Sequence, residues 1–229
     1  MKKAKQYYKF LNLNDGNIVS HHGNQVWEIG KQYSVKGDVE ACANGFHASI
    51  QPLDAISYVQ GDVLAIVEAD GDSDNGSDKV CYRSMTIVKA YKWTAEDSVR
   101  LAIYAAEQVI KIYEDKYPDD TRPRDAIKAA KAYLRNPTAA AAARADAAAR
   151  AAAAARADAA ARAAAAAARA AAYAAYAAAA AAARADAAAY AAADAAYAAA
   201  ARADAAYAEF KAKINRWMKA RIKKLERLS

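Results

Sequence analysis

Apolar and polar positions alternate with short periods over the first third of the chain, and the period then changes. Tyr7–Leu13 is a β-prone run, Asn14-Asp15-Gly16 is a turn signal, and Asn17–Ser20 resumes the extended pattern. Val26–Ile29 and Gln32–Val35 predict two short strands separated by Gly30. Pro52–Val59 predicts a helix, with Pro in the first turn and Leu53, Ile56 and Val59 on one side. Val63–Ala69 reads as a buried strand, Gly71–Asp78 as an exposed loop, and Lys79–Tyr91 as a further strand with Cys81, Arg83, Met85, Ile87 and Lys89 on one face.

After Trp93 the spacing is helical. Thr94 and Asp97 form a capping-box-like start, and Val99, Ala102, Ile103, Ala106, Val109, Ile110 and Tyr113 make one stripe that runs to Pro118. Thr121-Arg122-Pro123-Arg124-Asp125 opens a second helix, with its cap at Thr121 or Arg122, and Asn136-Pro137 closes it. No Gly or Pro occurs from Thr138 to Ser229. A single helix of that length would run about 135 Å at ~1.5 Å per residue, so the pattern predicts at least two antiparallel helices, with turns at Ala163–Ala168 or Ala177–Ala183. Phe210, Ile214, Trp217, Met218, Ile222, Leu225 and Leu228 predict a closing amphipathic helix whose other positions are mostly Lys and Arg.

Composition sharpens this division. Of 71 alanines, 53 fall within residues 139–208, and all eight glycines lie at or before Gly76. The motif Ala-Arg-Ala-Asp-Ala-Ala recurs from Ala143, Ala155, Ala183 and Ala201. Asp146/Arg150 and Asp158/Arg162 are spaced as i,i+4 pairs, worth about 0.2–0.5 kcal/mol each. An all-Ala helix face permits close packing, because nothing projects beyond Cβ; exposed instead, a flat Ala face would suit ice binding. The formal net charge is +7, and the last 21 residues hold eight basic and two acidic groups. A basic amphipathic end suits an anionic partner, nucleic acid among them. No run of about 20 strongly apolar residues suggests a transmembrane helix. The N-terminus lacks a secretory pattern, and two cysteines are too few for a disulfide framework. A reduced, cytoplasmic protein is expected.

Candidate chemistry is sparse. Asp70, Asp72, Asp74 and Asp78 superficially resemble a calcium loop, but Cys81 stands where an EF-hand requires Glu. No P-loop, dinucleotide fingerprint or nucleophile elbow is present. No metal or cofactor is expected. His47, Tyr58 and Glu68 could make a His/Tyr/Glu set of ADP-ribosyltransferase type, though their spacing does not require it. Arg122, Arg124, Arg169, Tyr173 and Tyr176 form the candidate ligand site: Arg binds phosphate or carboxylate as a fork, and Tyr adds a stacking face. The competing role for Arg122 and Arg124 is to pair with Asp119, Asp120 or Asp125 and fix the helix start.

Two segments carry a family resemblance. Cys42–Ser49 (CANGFHAS), with Pro52–Ala55 (PLDA), resembles an uncharacterised small domain common in phage and prophage proteins. Trp93–Leu134, with the Arg122-Pro123-Arg124 motif, resembles the alanine-rich helical "putative immunity protein" family, where a Trp-containing basic helix closes the domain as Arg216-Trp217 would here. The resemblance implies a non-enzymatic role in bacterial or phage conflict and names no target.

These readings predict an α+β chain: a small antiparallel β-rich domain over residues 1–93, then an Ala-rich helical bundle over 94–229. The expected function is binding in immunity or counter-defence, by masking a protein partner or by sequestering an anionic small molecule such as a signalling nucleotide. A structural or nucleic-acid-associated protein using the basic C-terminal helix is the alternative, with ice binding after it. The sequence leaves homo-oligomerisation open.

Overall fold

The computed structural model describes residues 5–23, 25–158, 168–174 and 204–229. They form two compact units: Met1–Trp93 together with Trp217–Ser229, and Thr94–Arg216. The sequence division at Trp93/Thr94 leaves the C-terminus with the helices, whereas the contacts group the last thirteen residues with the strands.

In the first unit β1 (Gln6–Asn14) turns through Asp15 and Gly16, both at positive φ, into β2 (Asn17–Val19). Positive φ at both central residues is what a two-residue hairpin needs to match strand twist. β3 (Val26–Trp27), β4 (Gln32–Ser34) and β5 (Phe46–Ser49) are short. The two long strands are β6 (Val63–Asn75) and β7 (Lys79–Lys92). β6 extends through most of the stretch that composition marks as a loop. Its pairing with β7 continues past a register shift between Asp70 and Ser73, where Gly71 takes φ 83°.

All the pairings are antiparallel, and four strands close on themselves: β1 pairs with β6, β6 with β7, β7 with β5, and β5 with β1 through Tyr8 and Ser49. The ring encloses a core that includes Tyr7, Leu11, Trp27, Ala65, Val67, Val80, Met85, Ile87 and Ala90. The single inward face expected for β7 is interrupted. Val88 is an extra residue between the pairs Ile66–Lys89 and Val67–Ile87, so Lys89 is exposed and Ala90 turns inward. Outside the ring, α1 (Pro52–Tyr58) packs on β1 and β5, and Phe10 meets Trp93 edge-on at 5.6 Å.

In the second unit Thr94 and Asp97 form the reciprocal capping box that starts α2 (Ala95–Glu107). The single helix expected to reach Pro118 is broken at Gln108–Val109, and α3 (Ile110–Glu114) follows. The break falls in a run with three β-branched residues (Val109, Ile110, Ile112), which helices tolerate poorly, and both Val109 in the break and Tyr113 one turn later are buried. α4 (Arg122–Arg135) carries Pro123 in its first turn and packs on both α2 and α5 (Ala139–Asp158). Ala141, Ala145, Ala149 and Ala152 line the buried stripe of α5, so this alanine face is turned away from solvent. Asp146 and Arg150 form their i,i+4 ion pair; Asp158/Arg162 lies outside the described residues. Residues 168–174 are helical. The expected turns also lie outside the described residues, apart from Ala168.

The last helix, α6 (Asp204–Ile222), ends before the apolar pattern does. Leu225 and Leu228 do not continue it. Residues Arg227–Leu228 form β8, which pairs with Tyr91 and Ala90 of β7, and Leu228 packs against the barrel core. Edge pairing satisfies backbone groups that β7 would otherwise leave open.

Candidate functional site

A cleft of roughly 60 Å³ lies in the first unit, lined by Tyr8, Lys9, Phe10, His47, Ala48, Ser49, Ala55, Tyr58, Val59 and Lys79. Strand chemistry explains its position. β1 and β5 hydrogen-bond through the Tyr8–Ser49 pair and then part, while α1 packs over both strands and brings Ala55 and Tyr58 to the opening. Lys9 falls on the same side of β1 as Tyr7 and Leu11, and its Nζ donates to the His47 carbonyl at 2.7 Å.

Three basic groups converge here. Lys79 Nζ donates to Cys42 Sγ at 3.1 Å and lies 5.1 Å from the centre of the Tyr58 ring. The Cys42 backbone N–H donates to His47 Nε2 at 2.9 Å, which places the imidazole proton on Nδ1. Burial, reinforced by the ammonium groups of Lys9 and Lys79, pushes the His47 imidazole below its ordinary range and holds it neutral. Burial lowers the Lys9 ammonium to about 8. The Cys42 sulfur beside Lys79 pushes that ammonium up. The Tyr58 hydroxyl donates to Asp78 at 2.9 Å, which raises its pKa, and half of the Tyr58 surface is exposed at 50 %. The result is a small cationic cleft with an aromatic lip. Its size admits the charged end of a ligand, since about 10–15 Å³ of such space already holds one water.

The loop beside the cleft is held by Cys81, whose thiol contacts the carbonyls of Glu40 and Asn44. Burial pushes the Cys81 thiol up. Gly45 passes so close that a Cβ there would sit 2.4 Å from Cys81 Sγ. Sequence reasoning missed Lys9 and Lys79, because an isolated Lys in a strand has no spacing signature. It did single out the neighbouring GFHAS segment.

The sequence-predicted residues fall elsewhere. Arg122 grips Asp120 with Nε at 2.9 Å and Nη2 at 2.7 Å, and Asp120 also accepts the buried Tyr113 hydroxyl at 2.5 Å. These bonds hold the Asp120 carboxyl far below the ordinary carboxylate range, while burial, and then the bond to Asp120, pushes Tyr113 up to about 12. Arg124 Nε donates to Glu114 at 2.6 Å. Both arginines thus tie the segment before α4 to the start of that helix. Arg169 and Tyr173 are half-buried on the 168–174 helix among fully buried alanines. Tyr176 lies outside the described residues. Of the His47, Tyr58 and Glu68 set, the first two line the cleft; Glu68 sits on β6 opposite Gln6 and Thr86 and is not part of the lining, so the three do not assemble into one site.

A closed antiparallel barrel followed by an alanine-rich helical unit defines a two-part α+β protein. A family model described as Imm-5 like putative immunity protein matches residues 92–221, more than half of the sequence, and the chain belongs to that family. A second model, a domain of unknown function (DUF7666), matches residues 8–97 and so covers the barrel and its cleft. Neither a curated protein nor a solved structure matches the chain. Membership indicates an immunity-type function and points to a non-catalytic role. Among the described residues no helix is long and apolar enough to cross a membrane.

Proposed function

We propose that this immunity-family protein acts by binding, and that the barrel cleft captures the anionic end of a small ligand. The observation that carries this reading is the convergence of Lys79, Lys9 and neutral His47 on one cleft beside the exposed Tyr58 ring. An ammonium in a partly desolvated cleft binds phosphate or carboxylate more strongly than one in open water. The Tyr58 face offers a stacking surface for a planar group attached to that anion. Arg122 and Arg124 are engaged by carboxylates of their own unit, which favours the cleft over the R-P-R segment as the place of capture.

Calorimetric titration of the full chain with inorganic phosphate and with mono- and cyclic nucleotides tests the proposal. Saturable binding is expected, weakened at least tenfold by Lys79→Ala or Tyr58→Ala, while Arg169→Ala and Tyr173→Ala bind as wild type. If no anion gives heat, or if the cleft variants bind normally, capture in the cleft is ruled out and masking of a protein partner becomes the account of immunity.

A further inference from the structure

The C-terminal segment builds a second cationic feature that owes nothing to the cleft. β8 pairs Arg227 with Tyr91 and Leu228 with Ala90, and the Lys92 backbone N–H donates to the Glu226 carbonyl at 2.9 Å. Residues more than 130 positions apart in sequence are thereby placed side by side. Lys89 shares the face of β7 that carries Tyr91, opposite Arg227, Lys92 ends the strand beside Glu226, and Lys223 and Lys224 lie four and three residues before Arg227; all five are exposed. None of the five has a carboxylate partner among the described residues, and Glu226 is the sole acid within the C-terminal segment 217–229. Lys223 and Lys224 directly follow the last turn of α6, where cations offset the helix dipole. That accounts for two of the charges and leaves Lys89, Lys92 and Arg227 on the strand ladder.

The chemistry of the edge selects among anionic partners. Peripheral membrane binding adds apolar insertion to charge, and a tight protein interface needs an apolar anchor at its centre. The exposed large hydrophobics among the described residues are Val26 and Tyr58, and neither lies on this edge. A polymer of phosphates needs only cations at close spacing, because its affinity comes from counterion release. We infer that the edge formed by Lys89, Lys92, Lys223, Lys224 and Arg227 binds the phosphodiester backbone of nucleic acid, without reading its sequence.

The test is fluorescence anisotropy of the full chain with a labelled single-stranded 20-mer, repeated across a salt series. Binding is expected at about 50 mM salt, with log K falling against log salt at a slope of roughly −2 to −3.5 for three to five phosphate contacts. Lys223→Glu/Lys224→Glu/Arg227→Glu should weaken it at least tenfold and flatten the slope by about 2. Lys89→Glu/Lys92→Glu tests the same edge with the C-terminal segment unaltered, and circular dichroism checks the fold of both variants. Lys79→Ala should bind the oligonucleotide as wild type, which separates this surface from the cleft. Absence of binding at low salt, salt-insensitive binding, or wild-type affinity in both folded variants overturns the inference. So does binding to phosphatidylserine vesicles without binding to the oligonucleotide.

Discussion

Lys9 aims its ammonium at the carbonyl oxygen of His47, 2.7 Å away, at the point where β1 and β5 cease to pair. A lysine inside a small barrel is costly, because its charge is taken out of water. Burial lowers its pKa from 10.5 to about 8. Below pH 8 the group is charged in both states and the folded state bears the full penalty. Between pH 8 and 10.5 the unfolded chain binds more protons, so stability rises with pH across that window. Lys9→Met should therefore stabilise the protein at pH 7, by on the order of 1–3 kcal/mol. The difference between variant and wild type should shrink as pH approaches 10.5. Denaturant midpoints measured from pH 7 to 10.5 check this, and a Lys9→Met protein less stable than wild type at pH 7 would refute it.

Asp120 joins Tyr113 to Arg122, and its depressed pKa means that its contribution is present above the ordinary Asp range and is lost as pH falls through and below it. Asp120→Asn removes the charge, weakens the hold on Arg122, and leaves the buried Tyr113 hydroxyl with a poorer acceptor. A loss of about 2 kcal/mol is expected at pH 7. The variant should also lose less stability than wild type when acidified below pH 4. An unchanged acid limb in thermal melts would show that Asp120 does not carry this linkage.

Much of this architecture is legible locally. The Asn14-Asp15-Gly16 turn, the Thr94/Asp97 capping box and the start of α4 are each decided within four residues, and the structure has all three. The discrepancies are non-local. β6 runs on through an aspartate-rich stretch because β7 pairs with it, α2 stops without Gly or Pro, and the amphipathic tail yields its last residues to an edge strand. The cleft was hidden for the same reason. Lys9, His47 and Lys79 come from three strands, and only closure of the β1–β6–β7–β5 ring brings them together. Arg122 and Arg124 stand out in sequence because charges around Pro mark a helix start, and the bonds to Asp120 and Glu114 give them that role in the fold.

Gly45 combines φ 144° with a close approach to Cys81 and the Tyr82 carbonyl. Gly45→Ala adds both a clash and backbone strain, and should cost about 2 kcal/mol or more. Cys81→Ala in the same chain removes the sulfur and should restore part of that loss, leaving the part due to φ. Thermal melting of the single and double variants separates the two. No recovery in the double variant would assign the whole cost to the backbone.

The stripe Ala141, Ala145, Ala149 and Ala152 is the most direct test of how an alanine-rich helix can be load-specific without large side chains. Each alanine contributes little apolar area, but none loses side-chain entropy on burial, and the small radius lets α5 and α4 approach closely. Such packing has no slack for added volume. Ala145→Leu and Ala149→Leu should each destabilise by about 1–3 kcal/mol through overpacking. Ala143→Leu and Ala147→Leu, at exposed positions of the same helix, should be within about 0.5 kcal/mol of wild type. The contrast matters more than either value, since leucine and alanine have similar helix propensity and propensity alone would treat all four sites alike. Equal melting temperatures across the four variants would mean that the stripe is not held against a neighbour, and would leave the alanine face open to an external surface.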